Sequence, residues 1–137
     1  MKQFLLLLIV ILFSSASLAN SCYITDENKK DWSEQHRNKV KITVDEYESE
    51  LFVSAIFPSQ IDNAKLQSSF FLKGKDWSKP ELLIPIETRL DNNKVFVWYS
   101  IHPSLAIDGF VSASYGEECG IEIIYQVEYN KAIKSDS

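Results

Sequence analysis

Few side chains in this sequence are equipped for catalysis. Its histidines are His36 and His102, and its cysteines are Cys22 and Cys119. Two histidines far apart in sequence fall short of the three protein ligands that a catalytic zinc site uses, and they specify no metal-ligand set. His102, Ser104 and Asp108 are close in sequence. A hydrolase would need the fold to bring all three into one cleft, with the imidazole taking the hydroxyl proton. There is no Gly-x-Ser-x-Gly elbow, no phosphate-cradling glycine loop and no EF-hand loop. The acidic run Asp45, Glu46, Glu48, Glu50 offers carboxylate oxygens but lacks the glycine and spacing of a calcium loop. It reads as a solvated hairpin tip that deters edge-to-edge aggregation. Glu122 and Glu128 lie on one strand, where a solvent-facing pair has no enclosed cleft to raise the pKa of a general acid. These residues predict a protein that is not an enzyme and carries no cofactor.

Binding chemistry is better represented. Lys30-Asp31-Trp32-Ser33 recurs as Lys75-Asp76-Trp77-Ser78, and Phe52-Val53 as Phe96-Val97. Ile56-Phe57-Pro58-Ser59 is echoed by Ile101-His102-Pro103-Ser104, and Ile61-Asp62 by Ile107-Asp108. Such self-similarity predicts two related three-stranded units, each a tryptophan loop, strand, turn, strand, Pro-Ser loop and strand. Coincidence among short β patterns is the plainer explanation, because strands draw on a small alphabet. Antiparallel pairing within a unit would set Trp32 near Pro58 and Asp62, and Trp77 near Pro103 and Asp108, with His102 in the place of Phe57. An aromatic face beside hydrogen-bonding groups suits a sugar or a protein side chain, whereas a tryptophan stacked on proline also serves to plug the end of a sandwich. The candidate binding residues are Trp77, His102, Asp108, Trp32 and Asp62. Trp77 leads, since it lies in a hydrophilic loop between Gly74 and Pro80, and loops disproportionately carry binding residues.

The elements that must position these residues follow from hydrophobic periodicity. Residues 26–39 are polar apart from Trp32 and read as a loop or one short helical turn. Val40, Ile42 and Val44 alternate with polar residues, the period of a half-buried strand. Leu51–Phe57 is apolar on both faces, which predicts a central strand. Further strands are expected at Leu66–Leu72, Leu82–Thr88, Val95–Ile101, Phe110–Tyr115 and Ile121–Tyr129. Pro85 cannot donate to a ladder and marks its strand as an edge or a bulge. Regularly spaced short strands predict an all-β fold, an antiparallel seven-stranded β-sandwich of immunoglobulin-like type, with a small β-barrel as the alternative. The domain is expected over residues 40–129, preceded by a tethered polar segment at 20–39 and followed by a frayed polar tail at 130–137.

The N-terminus predicts export. Met1-Lys2-Gln3 precedes an apolar run from Phe4 to Phe13 and the small-residue stretch Ser14–Ala19, the three parts of a signal peptide spanning residues 1–19. The run of about 10 apolar residues is half of what a bilayer span needs. Acylation of Cys22 is a rival, weakened because Ala19-Asn20-Ser21 lacks the large aliphatic residue such sites carry. In an oxidising compartment Cys22 and Cys119 should pair. Just under 120 residues then remain, enough for one domain. A net charge of −5 with scattered lysines argues against nucleic acid as partner. The expected function is that of an exported module, periplasmic or secreted, which recognises a protein partner as an inhibitor, immunity factor or assembly subunit. A carbohydrate- or metal-binding module is the alternative.

Overall fold

The structure, a computed structural model, describes residues 22–134. The expected signal peptide and the last three residues lie outside it. Strand direction is set by three tight turns, each built on two consecutive left-handed residues: Glu48-Ser49, Asp62-Asn63 and Asn92-Asn93, with φ between 46° and 69°. Paired left-handed residues make the type I′ turn, whose twist matches that of the strands it joins, and short polar residues such as Asn and Asp adopt it more readily than most. The first turn joins β1 (Lys41–Tyr47) to β2 (Glu50–Pro58), the second joins β3 (Gln60–Ile61) to β4 (Ala64–Lys73), and the third joins β6 (Thr88–Asp91) to β7 (Lys94–Ile101). Between them lies β5 (Leu82–Ile86), and β8 (Gly109–Tyr115), β9 (Ile121–Val127) and β10 (Ile133–Lys134) complete the set.

These strands form two sheets of an all-β, almost wholly antiparallel sandwich. The first has the order β10-β1-β2-β7-β6; in the second, β4 lies beside β8, β8 beside β9, and β3 and β5 share the other edge of β4. Alternate residues of both sheets point inward. Val53, Ala55, Phe57, Val97, Val111, Ala113, Tyr115 and Ile123 are all at most 1% exposed and form the centre of the core. Tyr115 ends in a hydroxyl that donates to the Pro58 carbonyl at 2.9 Å, satisfying a polar tip that burial would otherwise penalise.

Six of the seven expected strands are present, the last of them ending at Val127 rather than Tyr129, the seventh is divided, and ten short strands are found among the described residues. The additions have local causes. Pro58 ends β2 but the chain continues as β3 into the opposite sheet, and Leu82–Thr88 divides at Glu87 into β5 of one sheet and β6 of the other. Pro85 lies in β5, an edge strand paired only with β4, as its missing N–H requires. The strand β2 is central, between β1 and β7. Its burial is nonetheless one-sided, with Phe52 41% exposed on the outer face.

Two expectations are corrected. Residues 26–36 form an eleven-residue helix, α1 (Asp26–His36), rather than a loop or single turn. Thr25 accepts from the Asn28 N–H while the Asn28 side chain accepts from the Thr25 N–H, a reciprocal cap followed by the acidic first-turn residues Asp26 and Glu27. Tertiary contacts replace the missing apolar stripe. Ser33 Oγ accepts the Ile124 N–H from the open edge of β9 at 2.8 Å, the Tyr125 hydroxyl donates to the Ser33 carbonyl at 2.9 Å, and Lys29 pairs with Glu122 at 2.6 Å. The Cys22–Cys119 disulfide ties the segment before α1 to the β8–β9 turn, which leaves Cys22 no thiol for acylation. Second, residues 129–134 are not frayed: a turn at Tyr129–Lys131 leads into β10, which runs parallel to β1 at Asp45 and Glu46.

Candidate functional site

The residues singled out from the sequence do not converge. Trp32, on α1, is half-buried against the core. Asp62 occupies the left-handed position of the β3–β4 turn, and its charge is felt by His36 at the end of α1. Asp76 accepts from both the backbone N–H and the hydroxyl of Ser78, at 2.9 Å each, and these bonds hold its carboxyl below the usual range. The turn so fixed directs Trp77 toward α1, where it lies in a shallow acidic depression with Asp26, Lys30, Asp31 and Glu34, and the Lys29 ammonium sits 6.0 Å from its ring. Asp108, itself left-handed, meets the start of that loop, where its carbonyl accepts the Gly74 N–H at 2.9 Å.

His102 has a local task. It caps the short turn Pro103–Leu105: its Nδ1 accepts from the Ser104 N–H at 3.2 Å and lies 2.7 Å from Ser104 Oγ. In a Ser-His-Asp set the nitrogen that serves the hydroxyl must be opposite the one held by the carboxylate. Here Nδ1 is committed to Ser104, and no hydrogen bond joins His102 to an acid among the described residues. What this turn positions is Leu105, 51% exposed.

Leu105 overhangs the feature that sequence reasoning missed. Between β5 and β7 lies a groove of about 370 Å³ lined by Leu82, Ile84, Pro85, Ile86 and Glu87 on one wall and by Trp98, Tyr99, Ser100 and Ile101 on the other. Each wall contains a run of consecutive residues. Side chains of a strand alternate between faces, so a cavity touching four in succession is set against the strand's edge. Topology explains why the edges are open. The strand β6 pairs with β7 only from Val97 to Lys94, because beyond Thr88 the chain has left for the other sheet, where β5 pairs with β4 alone. Phe71 and Tyr99 contribute apolar surface below, their rings 4.7 Å apart. The Tyr99 hydroxyl bonds that of Tyr129 at 3.0 Å, and burial raises its pKa, so it stays protonated. Leu82, Ile84, Trp98 and Leu105 leave 47%, 42%, 39% and 51% of their surfaces in water around one opening. Contiguous exposure of this kind differs from singly scattered surface leucines, which need no explanation.

Comparisons with protein families, with curated proteins and with solved structures found no match to this chain. The groove is therefore judged on its own chemistry. It is largely apolar inside, and Lys73 and Glu87 are the charged residues of its lining. Among the described residues no cluster of His, Cys, Asp or Glu is arranged to hold a metal, and no helix is long and apolar enough to cross a membrane. The signal that could have found the groove was present in the sequence: Leu82-Leu83-Ile84-Pro85-Ile86 is too apolar for an exposed edge strand that needs nothing to cover it.

Proposed function

We propose that this protein is an exported, non-enzymatic module that binds a protein partner through the groove between β5 and β7. The observation that carries the reading is the ring of exposed Leu82, Ile84, Trp98 and Leu105 around two open strand edges. Burying such a centre within a polar rim is how protein interfaces obtain most of their affinity. Export is supported by the N-terminal pattern of charge, apolar run and small residues, and by a disulfide of the kind that persists in oxidising compartments.

The test is capture from envelope and secreted fractions with the oxidised protein, residues 20–137, followed by reconstitution with the purified partner. Two variants accompany it, Leu82→Asp/Leu105→Asp in the groove and Trp77→Ala/His102→Ala away from it. The expected result is a partner that rebinds the wild type and the Trp77/His102 variant but not the groove variant. Loss with the Trp77/His102 pair alone would move the site to those loops and defeat the groove assignment.

One observation favours carbohydrate as a second reading. Phe52 and Trp98 are exposed on the outer face of the first sheet beside the hydrogen-bonded Thr43 and Ser54 hydroxyls, 2.6 Å apart. A sugar stacked there would change tryptophan fluorescence, and titration with oligosaccharides reads it directly.

A further inference from the structure

We infer that the partner enters the groove as an extended segment, adding a strand to the open edge of β7 beside β5, an inference that rests on the protein-binding reading above. Two kinds of need meet in this groove. The apolar walls need covering, and the strand edges hold backbone groups without a ladder partner. The orientation of those groups follows from the hairpin. In a two-residue turn the flanking pair, here Asp91 and Lys94, exchanges both backbone hydrogen bonds, and the direction then alternates along the strand. Counting from Lys94, Phe96, Trp98 and Ser100 turn their N–H and C=O groups toward the β6 side. The same count from the Glu48-Ser49 turn sends Leu51 and Val53 of β2 to meet Ile101 and Tyr99, in agreement with the observed register. Since β6 stops pairing at Val97, the Ser100 N–H and C=O face the groove.

An acyl chain would cover the leucines and leave these edges unpaired. A sugar would satisfy the edges but cover little aliphatic surface. Only a peptide in extended form presents backbone groups and side chains in alternation, and strand addition is a recurring way in which proteins use open edges. The molecule does the same for itself on its opposite side. There β10 runs along β1 at Asp45 and Glu46 and Ser33 takes the Ile124 N–H at the β9 edge, while a cavity of about 350 Å³ remains between the rest of β1 and β9. No described segment of the chain performs that task between β5 and β7.

Charge gives the occupant a polarity. Lys73, paired with Leu82, marks one end of the groove, and Glu87, just beyond Ile86, marks the other. The inner walls between them are uncharged. The segment that fits spans about five residues, roughly 17 Å at strand rise. It carries apolar side chains at alternate positions, an acidic group at the Lys73 end and a basic group at the Glu87 end.

The experiment selects linear nine-residue peptides from a random display library on the oxidised protein. Selected sequences are then synthesised and their binding measured by calorimetry and by amide hydrogen exchange. Expected are alternating apolar sequences with opposite charges at their ends, protection of the Ser100 amide on binding, and affinity lowered at least about tenfold by Leu105→Asp or by exchanging the terminal charges. Peptides that bind without protecting Ser100 would overturn strand addition and leave the protein-binding reading intact. A selection that yields nothing, while a folded partner is still captured in a groove-dependent way, would overturn the extended segment in favour of a folded surface. Failure of both selection and capture would remove the parent reading as well.

Discussion

Replacing Ser33 with alanine tests the account of α1 most sharply, because one hydroxyl holds two elements together. Its oxygen accepts the Ile124 N–H at 2.8 Å and donates to the Lys29 carbonyl at 2.6 Å within its own helix. Removing it leaves a partly buried amide on the β9 edge without an acceptor, which costs about 1–3 kcal/mol. Alanine recovers roughly 0.5 kcal/mol in helix propensity. The net loss is therefore about 0.5–2.5 kcal/mol, which lowers the melting temperature of a domain of this size by roughly 2–10 °C. The assay is thermal and urea unfolding of the oxidised protein, with amide exchange at Ile124 as the local readout. Glu34→Ala, one position along on the exposed side of α1, is the control and should change stability by less than about 0.5 kcal/mol. If Ser33→Ala behaves like the control, or if its loss leaves Ile124 exchange unchanged, the helix is not held by the strand edge and the reasoning fails.

Further outcomes are expected. Among the described residues the buried His36 ring has no hydrogen-bond partner at either nitrogen, and burial, with a smaller contribution from Lys39, lowers its pKa below 6.5 against the opposing pull of Asp62. The unfolded chain therefore takes up the proton first. Stability is full above about pH 6.5 and falls as pH drops through the lowered folded value, and His36→Gln should flatten that part of a pH–stability curve measured by urea titration. Cys22→Ser/Cys119→Ser opens a loop with a sequence separation of 97 residues and should lower unfolding free energy by up to about 4–5 kcal/mol in the chain-entropy model, as read by equilibrium unfolding. At Gly109 an added Cβ would lie 2.3 Å from the Tyr129 hydroxyl and 2.9 Å from Phe71. Gly109→Ala should cost about 1–3 kcal/mol in the same measurement.

How legible each part was depended on whether it is written locally. The strands at Leu51–Phe57, Val95–Ile101 and Ile121–Val127 were readable because alternation and turn residues carry their own information. The disulfide was readable because a sequence with two cysteines has one way to pair them within the chain. Helix α1 was obscured because its periodicity is nearly empty; a hydroxyl, an ion pair and the disulfide hold it to β9, and those partners lie some 90 residues downstream. The tail at 130–134 is likewise ordered by a distant strand. The recurring tryptophan motif suggested equivalent surroundings, yet Trp32 packs on the core from a helix whereas Trp77 lies against that helix from a loop. The groove was legible only in part: the apolar run Leu82–Ile86 signals an edge that needs covering, but the gap itself arises where that run changes sheets, which depends on strands distant in sequence.

That run, Leu82 to Asp91, serves both sheets with only Glu87 between its two halves. It works as a shared tether. Drawing the walls of the groove apart would load the β4–β5 ladder on one side and the β6–β7 ladder on the other, so the sandwich resists opening as a whole. Its weakest member is β5, which has neighbours on one edge only, lacks one amide at Pro85 and is largely exposed along its length. Adaptation to a guest is thus concentrated in five residues. The proposed partner would reshape this mouth by shifting β5 while the core beneath Val97 and Val111 keeps its packing.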